Sequence, residues 1–490
     1  MTFAALALAW AAVSLQDGAF TTVTKESGVE AAVDAKYAKD PKWWLSGLHL
    51  VDLDADGDLD LFLSAHGGGG ALALLNDGRG NFTAAPGEYP STEVHLACDI
   101  DEDGRPDLNM TWQDGGGQWW MNRSGPGRLA FEAGKTAHGT NQARVNVMLD
   151  VDRDGRLDWI RSAGGAVVFE LGDGKGGFAP AGPVLRVTTD YRFEHAILPA
   201  DIDGDGDCDL VLEWGRYQFG KGRGRLYRND GNLRFADVTA EAGLYEEGFS
   251  VKAVGDLDQD GDVDLLALEN GAPFSVFLND GKGRFARKEG AVSGVKGSVA
   301  LASWGMGVVT DFDNDGIADI LVNGKHFLKV LRGLGGGRFE CRNREWGIAD
   351  VSASSVDDGL CFGDVDGDGD LDIVGYRTAG DPRRIDVYRN DMPPRKWIRV
   401  RLAGRAGNRA AAGARIRLYA AGSGDLLWSE EAGIYDRQEA HSYYTAAATE
   451  RHFGLGSRET VDVRVDFSPS GKAVWERGAK AGRTVGIRED

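Results

Sequence analysis

Residues 52–60 read Asp-Leu-Asp-Ala-Asp-Gly-Asp-Leu-Asp, and residues 256–264 read Asp-Leu-Asp-Gln-Asp-Gly-Asp-Val-Asp. The shared pattern, Asp-x-Asp-x-Asp-Gly-x-x-Asp, begins seven times: at Asp52, Asp99, Asp150, Asp201, Asp256, Asp311 and Asp364. Aspartate fills positions one, three, five and nine of every copy, and glycine fills position six. Chance does not place residues this way. Successive copies start 47 to 55 residues apart, the length of one four-stranded repeat.

Each copy sits in the same surroundings. A short apolar stretch precedes it, as in Val94–Cys98 and Val251–Val254, and an apolar run follows it, as in Leu61–Leu63 and Ile320–Val322. The motif is therefore the loop of a β-hairpin. A third apolar stretch ends in Asn-Asp-Gly at 229–231 and 279–281, residues that tolerate the positive φ of tight turns. A fourth begins with Phe82, Phe131, Phe178, Phe235, Phe285 or Phe339. Four strands in each of seven units specify an all-β chain, a seven-bladed β-propeller. The seventh unit lacks its Phe-led strand, because Pro393-Pro394 follows soon after Ile385–Tyr388. Its substitute lies at the other end of the chain: Phe20-Thr-Thr-Val-Thr-Lys-Glu-Ser-Gly28 matches Phe235-Ala-Asp-Val-Thr-Ala-Glu-Ala-Gly243. The N-terminal strand is expected to close blade seven, removing the loose seam of a circular array.

Calcium takes six to eight oxygens, and a glycine-assisted sharp turn lets spaced carboxylates converge on it. The ligands read from the spacing are Asp52, Asp54, Asp56 and Asp60 in the first loop, then Asp99, Asp101, Asp103 and Asp107 in the second. The third and fourth supply Asp150, Asp152, Asp154, Asp158, Asp201, Asp203, Asp205 and Asp209. The fifth supplies Asp256, Asp258, Asp260 and Asp264, the sixth Asp311, Asp313, Asp315 and Asp319, and the seventh Asp364, Asp366, Asp368 and Asp372. Up to seven Ca²⁺ ions are expected. An EF-hand is excluded: it needs Glu at position twelve, where this chain has Leu63, Met110, Arg161, Leu212, Ala267, Val322 or Gly375.

Composition agrees. Acidic residues outnumber basic ones 76 to 55, for a formal charge of −21, which excludes nucleic acid and anionic membranes as partners. Phe3–Leu15 has the length of a signal-peptide core and includes a small-x-small stretch at Ala12–Ser14, so residues 1–15 read as a leader. No later apolar run approaches the roughly 20 residues that span a bilayer. The expected product is a monomer, secreted or held in the periplasm or at the cell surface. Cys98 and Cys361 lie in apolar strands and Cys208 and Cys341 show no CxxC spacing, which favours small core residues over metal or redox chemistry.

Residues 16–392 form the repeat array, and 396–490 read as a small, separable β domain behind the stiff Pro393-Pro394 link. Trp397–Leu402, Ala414–Tyr419 and Val461–Phe467 alternate apolar with polar, as half-buried strands do. His452 opens a Phe-Gly-Leu-Gly turn and reads as a structural hydrogen-bonding residue. The Asp-rich loops resemble the FG-GAP or VCBS repeats of integrin α-subunits and bacterial exported proteins. The tail resembles the ASPIC/UnbV domain of the cartilage acidic protein family through Trp397-Ile-Arg-Val400, Asn408-Arg409, Gly413-Ala-Arg-Ile416 and His452-Phe-Gly-Leu-Gly456. The resemblance implies a calcium-binding propeller with an extracellular role.

No nucleophile–base pair, phosphate loop or histidine metal motif emerges. The strands preceding the motifs carry Glu93, His95, Arg144, Asn146, His195, Lys252 and Asp358, which could line a polar pocket at the central channel. Two functional classes follow: a recognition module for an extracellular protein or glycan, or a propeller lyase or hydrolase using those channel residues. Binding is favoured over catalysis, because strict repetition is invested in the carboxylates while the channel positions differ from blade to blade. Elemental analysis at millimolar Ca²⁺, the range of weak extracellular sites, is expected to find several ions per chain. Fewer than about three would sink the calcium reading.

Overall fold

The repeat expected from the sequence recurs sheet by sheet. The computed structural model describes residues 19–65, 69–89, 93–111, 117–138, 145–163, 166–186, 194–216, 221–244, 249–269, 272–296, 307–324, 327–348, 360–376, 384–435 and 450–489. The leader reading of residues 1–15 lies outside them. In the first repeat the antiparallel strands are Leu45–Val51, Asp60–Ala65, Leu72–Asn76 and Phe82–Ala84, in that order across the sheet. Each motif loop joins the first strand to the second, and every fourth strand opens on the phenylalanine read from the sequence. Among the described residues, seven sheets share this plan. Cys98 and Cys361 are buried, as expected of core residues.

The last sheet is completed by the N-terminus. Phe20–Thr22 pairs with Ile385–Asn390 in the register Phe20↔Asn390, the match of Phe235↔Asn229 and Phe285↔Asn279 in other repeats. The likeness to residues 235–243 extends bond by bond. Thr24 Oγ1 accepts from the Val387 N–H at 2.9 Å, as Thr239 Oγ1 accepts from Leu226 at 3.0 Å. Gly28 and Gly243 both take positive φ, 82° and 80°, and the carbonyl before each accepts from the next fourth strand, at Phe82 and Phe285. A helix unforeseen in the sequence, Val29–Lys39, follows Gly28 and buries Val29 and Val33 against the first sheet.

Apolar side chains of each sheet interleave with those of the next. Phe62 of the first packs with Leu108 and Met110 of the second, and Trp119 of the second with Trp159 of the third. The order returns to its start: Cys361, Val374 and Val387 of the last sheet share a core with Leu48, Leu50 and Leu61 of the first.

Beyond Pro394 lie two more sheets, one of Glu450–Gly456, Lys396–Ala403 and Arg483–Arg488, the other of Leu426–Glu431, Arg415–Ala420, Thr460–Asp466 and Ala473–Lys480. They enclose Ile398, Val400, Ile416, Leu418, Phe453 and Val463. The tail packs against the repeats. Ala318 of the sixth repeat belongs to the tail's core, and Ala410 and Ala412 of the tail belong to the core of the second to fourth sheets. Ile434–Tyr435 adds a fifth strand to the third sheet by pairing with Val147 and Met148. Alternation within a strand reveals which side chains are buried, not which neighbour buries them. Deleting residues 17–28 would expose the edge of Ile385–Asn390. The expected result is aggregation or a melting temperature lower by more than about 5 °C, read by calorimetry; unchanged melting would refute the closure.

Candidate metal centres

The conformation of the acidic loop follows from its glycine. In all seven copies the position-six glycine holds a φ between 87° and 102°, a region other residues rarely enter. Its N–H then donates to Oδ2 of the position-one aspartate at 2.6–3.2 Å. The N–H of position seven donates to the position-five aspartate at 2.8–3.1 Å. Position four is also left-handed, even as Ala55, Glu102, Arg153 and Gln259.

Position nine has a role that spacing alone did not reveal. Both oxygens of Asp60 are bound by backbone: Leu53 N–H donates to one and Asn76 N–H, at the end of the third strand, to the other. Asp107, Asp158, Asp209, Asp264, Asp319 and Asp372 repeat the pair at 2.7–3.0 Å. The carboxylate is a clamp between loop and sheet, with lone pairs to spare for a cation.

Three of the four spaced aspartates converge in each of five loops. Carboxylate oxygens of positions one, three and nine lie within 4.8 Å of one another in the first four loops, and those of Asp256, Asp258 and Asp260 do so in the fifth. These clusters could hold metal ions. Position five stands at the exposed rim in every loop but the sixth. Asp54, Asp101, Asp150 and Asp258 each keep one buried oxygen with no hydrogen-bond donor among the described residues, a costly arrangement for a carboxylate unless a cation meets it. Burial, then like charge, shows in the acidities. Burial, opposed by two backbone N–H bonds, pushes Asp60, Asp107 and Asp158 up to about 7 and Asp209 and Asp264 up to about 8. Asp256 is raised to about 7, by burial and then by Asp260 and Asp258.

Of the seven channel candidates, two have described side chains. Buried Asn146 accepts from Trp159 Nε1 at 2.9 Å. Buried Lys252 pairs with Glu213 at 3.1 Å, and Ser250 Oγ donates to the same carboxylate. Glu93, His95 and His195 lie on first strands, but their side chains fall outside the described residues, as do Arg144 and Asp358 entirely. Where the first strands of later repeats approach the tail, Val254, Val309 and Phe362 line a cavity of 110 Å³ together with Trp428, Arg415 and Glu431 of the tail.

The tail lies on the loop face. Arg415 reaches Asp201 at 3.0 Å, Arg399 bonds Asp364, and the Asp201 N–H donates to Glu431. Gly407 donates to Glu102 and accepts from Leu157. His452 Nε2 meets Asn314 Oδ1 at 2.7 Å, the structural role expected of it. Burial, reinforced by Arg399, pushes its pKa down to about 3, so the ring is neutral.

An FG-GAP-like repeat model matches residues 52–108, 99–161, 150–212 and 311–375, and the ASPIC and UnbV model matches 404–490. The chain is an FG-GAP-repeat protein with an ASPIC and UnbV domain. The fifth loop of this FG-GAP protein lies outside the matched segments, yet its glycine and clamp bonds are those of the others. Cartilage acidic protein 1 of Mus musculus is 24% identical over 93% of this chain and 74% of its own length; that of Homo sapiens is 24% identical over 96% and 75%. Among solved structures, an Agrocybe aegerita lectin aligns at TM-score 0.43 with 23% identity, over 60% of this chain and 79% of the lectin. PorZ of Porphyromonas gingivalis aligns at TM-score 0.37 with 12% identity, over 89% of this chain and 60% of its own. Among the described residues no helix is long and apolar enough to cross a membrane.

The raised carboxyls set a pH dependence. Their folded pKa values exceed the ordinary 3.8, so the folded chain binds more protons than the unfolded one between about pH 4 and 8, and stability falls as pH rises through that window. In chelator, the melting temperature at pH 8 is expected to lie below that at pH 5; excess calcium should reverse the order. A chelated protein that melts higher at pH 8 would contradict this.

Proposed function

We propose that this protein is an exported recognition module, a seven-bladed β-propeller stiffened by calcium, which binds an extracellular protein or glycan. The observation that carries the proposal is the set of buried, donor-less carboxylate oxygens at Asp54, Asp101, Asp150 and Asp258, each in a loop of convergent aspartates. A hard divalent cation with many oxygen ligands suits such sites; magnesium, which parts with water reluctantly, suits them less. Residues 1–15 would be the leader, 16–392 the propeller and 396–490 the C-terminal domain. The cycle of shared cores between neighbouring sheets supports the ring. Likeness along nearly the whole chain to cartilage acidic protein 1 supports an extracellular setting.

Calcium would be held by Asp52, Asp54, Asp56 and Asp60 and by their counterparts. When bound, it supplies two positive charges where carboxylates would otherwise repel. The chain's own part is to hold those oxygens in place through the glycine and clamp bonds. Binding is favoured over catalysis because Lys252 and Asn146 are engaged with Glu213 and Trp159, as wall residues are. The test is an array of extracellular glycans and matrix proteins probed in calcium and in chelator, beside a screen of polysaccharide and ester substrates. Capture that calcium supports and chelator abolishes is expected. Turnover that disappears in His195→Ala would replace the recognition module by an enzyme.

A further inference from the structure

We infer that two arginines take the place of calcium at the sixth acidic loop, which serves as the seat of the C-terminal domain. The inference rests on the calcium reading of the other loops and departs from it at this one. All eight carboxylate oxygens of Asp311, Asp313, Asp315 and Asp319 have a donor. Asp311 accepts from the N–H groups of Asp315 and Gly316, and Asp319 from those of Phe312 and Gly333. Asp315 accepts from the Ile317 N–H and from Arg332. Asp313 accepts from Arg332 Nε at 2.7 Å on one oxygen and meets Arg395 at 2.8 Å on the other. Four other loops each leave a buried oxygen without a donor.

The two guanidinium groups bring the two positive charges that calcium would bring, and their planar forks bond carboxylates directionally, which a bare ion does not. Arg332 comes from the third strand of the same repeat. Arg395 comes from the segment entering the tail, and it also donates to the Asp313 carbonyl at 2.9 Å. The tail then covers the loop. The Gly456 N–H donates to the Asn314 carbonyl at 2.9 Å and His452 holds the Asn314 side chain. Gly454 lies so close that a Cβ there would stand 1.9 Å from Asp311 Oδ2. This is the loop whose position-five aspartate is withdrawn from solvent. A glycine is required because strand and loop touch backbone to carboxylate.

The test counts calcium ions on the full-length chain by native mass spectrometry in calcium excess. The isosteric pair Asp54→Asn and Asp56→Asn in the first loop is expected to remove one ion. The matching pair Asp313→Asn and Asp315→Asn in the sixth is expected to remove none. Arg395→Gln, which leaves the repeats' own residues intact, is expected to lower the melting temperature without lowering the count. Loss of an ion from the sixth-loop pair overturns the inference and leaves the calcium reading standing; a wild-type chain that carries no calcium overturns both.

Discussion

The whole array hangs on one carboxylate. The ninth residue of each motif uses both oxygens to hold backbone N–H groups, one in its own loop and one at the end of the third strand. Hydrogen bonds contribute about 0.5–1.5 kcal/mol each, and leaving a buried donor unpaired costs about 1–3 kcal/mol. The clamp fixes where the third strand ends, and the residue there acts in turn. In five repeats it is asparagine. Asn122 Nδ2 donates to the Pro106 carbonyl of its own loop and to the Leu53 carbonyl of the preceding one. Asn76 does the same to Leu59 and, in the loop of the last sheet, to Val365 at 2.7 Å. Two repeats use Gly172 and Gly333 instead, where a Cβ would meet the carbonyls of Leu157 and Ala318 at 1.9 and 2.2 Å. Loop, strand and neighbouring sheet are thereby tied in one chain of hydrogen bonds.

Gathering carboxylates to make that clamp creates a charge problem, since buried like charges repel and lose hydration. The molecule meets it in several ways. Backbone N–H groups satisfy part of every loop. Side-chain cations serve others, as Arg123 does at Asp101 and Asp103. What remains in the first, second, third and fifth loops is a buried oxygen that none of the described residues addresses, and there a metal ion is the natural complement.

The tail belongs to the same electrostatic scheme. Arg395, Arg399 and Arg415 approach the sixth, seventh and fourth loops, so the acidic face that organises the repeats also orients the C-terminal domain. Seating is completed by backbone pairing of Ile434–Tyr435 with the third sheet and by apolar contacts that cross the boundary. A chain with so high a formal negative charge thus spends much of its acidity internally.

The repeat, the four strands of each unit, the acidic loops and the N-terminal strand that completes the last sheet can all be read from the residues alone. These were legible because a strand's period, a glycine's φ and a ligand spacing are local properties, repeated seven times. Phe20 could be placed against Asn390 because its segment copies residues 235–243. Folding alone settles which oxygens are already spoken for, that asparagine of the Asn-Asp-Gly turn clasps the neighbouring loop, and that the tail rests on the acidic face. The sixth loop has the same four aspartates as the others. Its difference comes from Arg332, Arg395 and Gly454, which lie 17 or more residues away from Asp315 and carry no motif. Spacing fixes what a loop could bind; the groups that fold against it fix what room and charge are left.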